Sequence, residues 1–205
     1  MDETSIDVIA SAVGHADLGA LGVASSPDGA LTLLFCEFAN MAVLRAEVPA
    51  ERLSTLLGDQ RMIVERIARI HGSEIARAHD DGLMLVFGSA HAAMHSAIEL
   101  QQSFAAVNLD GGPTPELRVG LHTGTVIDSG EDLYGRNVLL GARIAGEAGG
   151  GEILVSAKVR EYTQSDPSFE FRPRGEFHFR GLHGEHELFA VSWRDPAERV
   201  PERDG

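Results

Sequence analysis

The order of apolar patterns along the chain predicts an α/β protein, an α+β sandwich built on a ferredoxin-like βαββαβ core with extra C-terminal strands. Three observations point there. Between residues 31 and 121 the patterns run strand, helix, strand, strand, helix, strand. The two middle strands flank His79-Asp80-Asp81-Gly82, whose Asp-Gly pair signals a tight hairpin. Glu116 to Ser156 then reads as strand, polar loop, amphipathic helix and strand.

Each element has its own warrant. Leu31–Phe35 is short and apolar, as a buried strand is. Pro49 suits a first helical turn, and Leu53, Leu56, Leu57, Val64, Ile67, Ala68 and Ile70 recur at helical spacing over Ala50–Ile70. Gly58 weakens the middle of that helix and Gly72 ends it. Glu74–Ala78 and Leu83–Phe87 are the hairpin strands, and Ala90–Val107 is the second helix, with Ala93, Ala97, Leu100 and Phe104 on one face. Residues 108–113 form a loop.

Leu117–Leu121 alternates at period two and continues through Thr123 and Gly124 to Val126 and Ile127. After the polar connection at 128–131, Asp132 precedes Tyr134-Gly135 and a helical pattern carrying Val138, Leu139, Ala142 and Ile144. Arg143 projects from this helix about three turns beyond Asp132. Gly149, Gly150 and Gly151 stop it, and Glu152–Ser156 is the next strand. A short helix at Ala157–Tyr162 and strands near Phe169–Arg172, Glu176–Arg180 and Glu187–Trp193 complete the pattern. The domain is expected over 28–194. Residues 1–27 form an N-terminal segment with a short helix around Ile6–Val13, and the charged, proline-containing 195–205 reads as a disordered tail.

A chain of 205 residues is one domain with tails and needs no disulfide or structural metal to fold. Its single cysteine, Cys36, excludes an internal disulfide. No run is long and apolar enough to span a membrane, and MDETSIDVIA is acidic where a signal peptide is basic. A cytoplasmic protein with no membrane partner is expected. The net charge of -14 argues against a nucleic-acid partner, which needs a basic face. It leaves room for a nucleotide ligand, because a few arginines in one cleft make a locally positive site.

The blocks Arg118-Val119-Gly120-Leu121-His122-Thr123-Gly124, Asp132-x-Tyr134-Gly135-x-x-Val138, Ala142-Arg143-Ile144-Ala145 and Gly151-Glu152-Ile153-Leu154-Val155-Ser156 stand in series over about forty residues. They resemble the second half of a class III nucleotide cyclase catalytic domain, the adenylate/guanylate cyclase homology domain. The resemblance implies the class III cyclase fold, a nucleoside triphosphate substrate and a head-to-tail homodimer. It also implies two divalent cations, Mg²⁺ or Mn²⁺, held by two aspartates, one after the first strand and one in the hairpin.

Position by position the match divides. Asp81 is the hairpin aspartate, and it reads either as a metal ligand or as the residue that makes the Asp-Gly turn. The first-strand aspartate is replaced by Glu37, and the Gly-Ser-Thr turn that presents amides to phosphate stands here as Asn40-Met41-Ala42. A weak or absent metal site follows. The base-selecting pair is Arg77 with Asp132, which reads either as a purine contact or as an internal salt bridge. Arg143 matches the arginine that acts on the transition state, but its companion asparagine falls on Leu139, which cannot hydrogen-bond. Arg180 matches a phosphate-binding lysine. His79, His122 and Cys36 lack zinc spacing and read as packing or surface residues.

Two functions fit this division. In one the chain is a weak or inactive cyclase homologue that dimerises and binds a nucleoside triphosphate, or a protein partner, for regulation. In the other it is an active, divergent adenylate or guanylate cyclase that makes a 3′,5′-cyclic nucleotide and pyrophosphate from ATP or GTP. The losses at Leu139 and Asn40–Ala42 favour the first.

Overall fold

The computed structural model describes residues 4–12, 29–73, 75–107, 109, 111–125 and 132–194. In chain order they form α1 (Ser5–Ala12), β1 (Ala30–Phe38), α2 (Met41–Glu47), α3 (Ala50–Ile70), β2 (Ile75–His79), β3 (Gly82–Phe87) and α4 (Ala90–Ala105). These are followed by β4 (Leu117–Thr125), α5 (Asp132–Glu147), β5 (Ile153–Ser156), α6 (Ala157–Thr163), β6 (Phe171–Phe177) and β7 (His186–Val191).

The strands make one sheet in the order β2-β3-β1-β4-β5-β7-β6. Its neighbours pair antiparallel except β4 and β5, which are parallel and joined through α5. Helices cover both faces of β1, so all nine of its residues are buried. Period-two alternation divides them. Leu34, Cys36 and Phe38 join the core under α3, α4 and α6, while Leu31, Leu33 and Phe35 join a second core under α1 and α5. Glu37 shares the second face, and that register decides where the site forms.

Helix α3 buries Leu56, Gln60, Val64, Ile67 and Ala68, a helical stripe. Helix α4 begins at Ser89, whose side chain accepts the Ala92 N–H. Helix α5 lies close on β4 because Gly120 has no side chain. A Cβ there would overlap the backbone nitrogen and Cα of Ala145.

Several boundaries differ from the sequence expectation. The hairpin turn is Asp80-Asp81, with His79 already paired to Gly82. Asp80 takes the left-handed conformation (φ 49°) that the Asp-Gly signal assigned to the turn. The segment read as two strands near 169–172 and 176–180 is one edge strand, β6. Its Pro173 and Gly175 (φ 122°) shift the register instead of ending the pairing. Helix α2 has no counterpart in the sequence patterns: Asn40-Met41-Ala42, expected as a turn, is its cap and start. Helix α1 ends at Ala12, and the residues read as its end, Val13 and Gly14, lie outside the described residues, as do 126–131 and 195–205.

Candidate functional site

Glu37 and Asp81 come together where the end of β1 meets the β2–β3 turn. They line a cavity of about 270 Å³ with Ser5, Phe38, Met41, Arg45 and Arg118 among its walls. Both carboxylates are buried, at 2% exposure each. Burial of this kind requires partners, and every carboxylate oxygen has one. Asp81 Oδ2 accepts the Phe38 N–H (2.8 Å) and Oδ1 accepts the Ser5 hydroxyl (2.8 Å). Glu37 Oε2 accepts the Ile6 N–H (3.0 Å), and Oε1 takes Nε and Nη2 of Arg118. Burial raises the Glu37 carboxyl above the ordinary range; the hydrogen bond and charge of Arg118 and the Ile6 N–H oppose it, and the Asp81 charge adds to it. The buried Gln60 amide holds the hairpin by donating to the Asp81 carbonyl (2.9 Å).

Arg143, on α5, reaches the same helix turn from the other side. Its Nη1 donates to Asp7 Oδ1 (2.6 Å), and its Nε is buried without a partner among the described residues. The first turn of α1 therefore touches Glu37, Asp81 and Arg143 within one chain. Arg77 lies on β2 and donates to the carbonyl of Ala76. Asp132 is the first residue of α5, and its side chain lies outside the described residues, so the Arg77–Asp132 pairing does too. Arg180 is exposed in the β6–β7 connection. Leu139 sits beside that turn, since a Cβ on Gly181 would lie 3.4 Å from Leu139 Cδ2.

Asn40 has a local task. Its Nδ2 donates to the Thr114 carbonyl (2.9 Å) and its Oδ1 accepts the Glu116 N–H (3.1 Å), latching α2 to the approach of β4. His122 is a core histidine. Its Nε2 faces Asn137 Oδ1 (3.1 Å) and so carries the proton, while Nδ1 accepts from Ser156 Oγ (2.9 Å). Burial lowers its pKa to about 4, with the Asn137 bond opposing and His186 adding.

Oxygen donors suit Mg²⁺ or Mn²⁺, and Glu37 and Asp81 are of that kind. In this arrangement a metal pair would compete with protein donors, which already engage all four of their oxygens. Among the described residues no group of three or more His, Cys, Asp or Glu is placed to hold a metal ion.

Sequence patterns do not single out Arg118, Arg45, Ser5 or Asp7. Arg118 could have been found: in the β1–β4 register it stands opposite Glu37, an opposite-charge cross-strand pair. The parts played by Ser5 and Asp7 depend on where α1 docks, which no local spacing encodes.

A sequence profile of the Adenylate and Guanylate cyclase catalytic domain matches residues 23–192. The chain belongs to this family. A relative named "Putative adenylate cyclase 3", from Rhizobium meliloti, is 29% identical over 151 residues, covering 71% of this chain. The matched part of this chain spans only 25% of that relative's length. Among solved structures, the adenylyl cyclase CyaB of P. aeruginosa is 26% identical with a TM-score of 0.68, covering 82% of this chain and 95% of that one. The guanylate cyclase domain of RhGC from Catenaria anguillulae, in complex with GTP, is 19% identical with a TM-score of 0.69, covering 82% and 98%. At that identity the second likeness speaks to the fold alone. No helix among the described residues is long and apolar enough to cross a membrane.

Proposed function

We propose that this cyclase domain is a weak or inactive nucleotide cyclase that forms a homodimer and binds a nucleoside triphosphate in a regulatory role, in the cytoplasm. One observation carries the reading: every carboxylate oxygen of Glu37 and Asp81 is held by a protein donor. The neighbourhood of Leu139 supports it, because an apolar side chain lies beside the turn carrying Arg180 where the family places a hydrogen-bonding asparagine. In the bound state Arg143 and Arg180 would offset phosphate charge, and Arg77 with Asp132 would meet the base. A divalent cation supplying further charge neutralisation would have to compete with those donors for Glu37 and Asp81, and would bind weakly.

The deciding assay is cyclic nucleotide formed from ATP and from GTP with Mn²⁺ present. Turnover well under ~1 s⁻¹ is expected, and ordinary enzyme rates would overturn the reading in favour of an active divergent cyclase. Dimerisation is tested by light scattering at high micromolar concentration. A mass of twice the 21.9 kDa chain is expected, and a monomer at that concentration would overturn the homodimer.

A further inference from the structure

We propose that α1 is a built-in occupant of the candidate site, a self-inhibitory plug that a divalent cation must displace. The inference deepens the nucleotide-site reading and rests on it. It is motivated by a conflict: the two carboxylates have the chemistry of metal ligands, yet one turn of the chain's own helix takes one oxygen of each.

The substitution is chemical as well as spatial. A helix N-terminus presents unsatisfied N–H groups and partial positive charge. Here the Ile6 N–H points at Glu37 Oε2 (3.0 Å) and the Ser5 hydroxyl at Asp81 Oδ1 (2.8 Å). The first turn thus gives each carboxylate what a cation would give it. On its outer side the same turn carries Asp7, which holds Arg143 Nη1 (2.6 Å) and so supplies an anion to the guanidinium expected to meet phosphate. Positive groups face the metal-ligand position and a negative group faces the phosphate-binding position.

Docking is built in. Ile6 and Ile9 are almost fully buried against the core containing Leu31, Leu33, Met84 and Val86. Gly82 makes the approach feasible: a Cβ there would lie 2.8 Å from Ser5 Cβ and 2.9 Å from the Ser5 carbonyl carbon. Gly82 is a strand residue without a positive φ, so its lack of a side chain serves the contact with α1 and not the hairpin conformation.

Because the same oxygens serve both occupants, docking and metal binding are linked. Whatever loosens α1 tightens metal, and metal loosens α1 by the same factor. The test uses the full chain, Gly82→Ala and Ile9→Glu, with calorimetric titration by Mn²⁺ and amide hydrogen exchange over residues 4–12. Both variants are expected to speed exchange at Ile6 and to bind Mn²⁺ at least about tenfold more tightly. In the unaltered chain, saturating Mn²⁺ is expected to speed exchange at Ile6, a readout that needs no variant to fold. Equal Mn²⁺ affinity in all three proteins, with Ile6 still protected when metal is bound, would overturn the plug and leave the nucleotide site standing. No Mn²⁺ binding in any of them, with α1 released in the variants, would overturn the plug as well, since nothing would then compete with the helix for these oxygens.

Discussion

Arg118 and Glu37 face each other across the β1–β4 ladder, and the guanidinium donates to Glu37 Oε1 from both Nε (3.0 Å) and Nη2. Glu37 is 2% exposed, so its charge depends on that partner. Breaking a buried pair from one side leaves an uncompensated charge and costs about 3–5 kcal/mol. Arg118→Met should therefore lower denaturant stability by that order. Adding Glu37→Gln should recover most of the loss, because the orphaned charge goes with it. Equal destabilisation in the single and double variants would show that the pair is not coupled.

Gly120 and Gly58 should respond to alanine with opposite signs. At Gly120 the new Cβ would overlap the Ala145 backbone, forcing α5 off β4. Overpacking of this kind costs about 1–3 kcal/mol or more, a fall in Tm of roughly 3–10 °C. At Gly58, inside α3, nothing lies within 4 Å. Gly58→Ala should stabilise by about 0.5–1 kcal/mol through helix propensity and a less disordered unfolded chain. Thermal melts of the two variants decide both.

His122 should give the domain an acid-sensitive limb. Its pKa is lowered from 6.5 to about 4 in the folded chain, chiefly by burial. The unfolded chain therefore takes up a proton between these values and the folded chain does not. Stability is full above pH 6.5 and falls as the pH drops towards 4, by about 3 kcal/mol in all. His122→Gln should flatten that part of the stability profile even if it lowers the plateau. An unchanged slope between pH 6.5 and 4 would assign the acid response to other groups.

Restoring cyclase chemistry should require several changes together. Leu139→Asn alone should leave cyclic nucleotide formation nearly unchanged. Combined with Glu37→Asp, Met41→Ser and Ala42→Thr it should raise turnover by more than the product of the separate effects, as groups acting in one transition state do. Asn40 is best left in place, since Asn40→Gly would remove both latches to Thr114 and Glu116 and cost about 1–2 kcal/mol. Simple multiplicative effects would argue against a shared site.

Much of this architecture was legible because local rules and tertiary packing agree. The bounds of α3 follow from Pro49, its apolar stripe and Gly72, and the β4–α5–β5 unit from period-two alternation followed by helical spacing. Reading failed where one residue type serves two ends. Gly175 and Pro173 look like strand breakers, yet at a sheet edge they only bend β6. Asn40-Met41-Ala42 looks like a turn when compared with a glycine-rich pattern, but Asn40 binds the segment leading into β4 and α2 begins at Met41. Glu37 and Asp81 could be paired in advance, because strand register and the hairpin bring them to one end of the sheet. Their occupation by Ser5 and Ile6 could not, since it joins segments 31 and 76 residues apart through the packing of two isoleucines.

Cys36 sits beside this site and points the other way, fully buried on β1 under α3 and α4. It is the chain's single thiol, and burial, with the charges of Glu37 and Asp81, holds it far above its ordinary ionisation range. Only a thiolate attacks an alkylating reagent, so modification has to wait until β1 leaves the sheet. The release of α1 uncovers the opposite face and does not expose this sulfur. Trapping with iodoacetamide would thus time the opening of the central sheet alone, and the molecule carries its own stopwatch for global unfolding, one that displacement of α1 should not start.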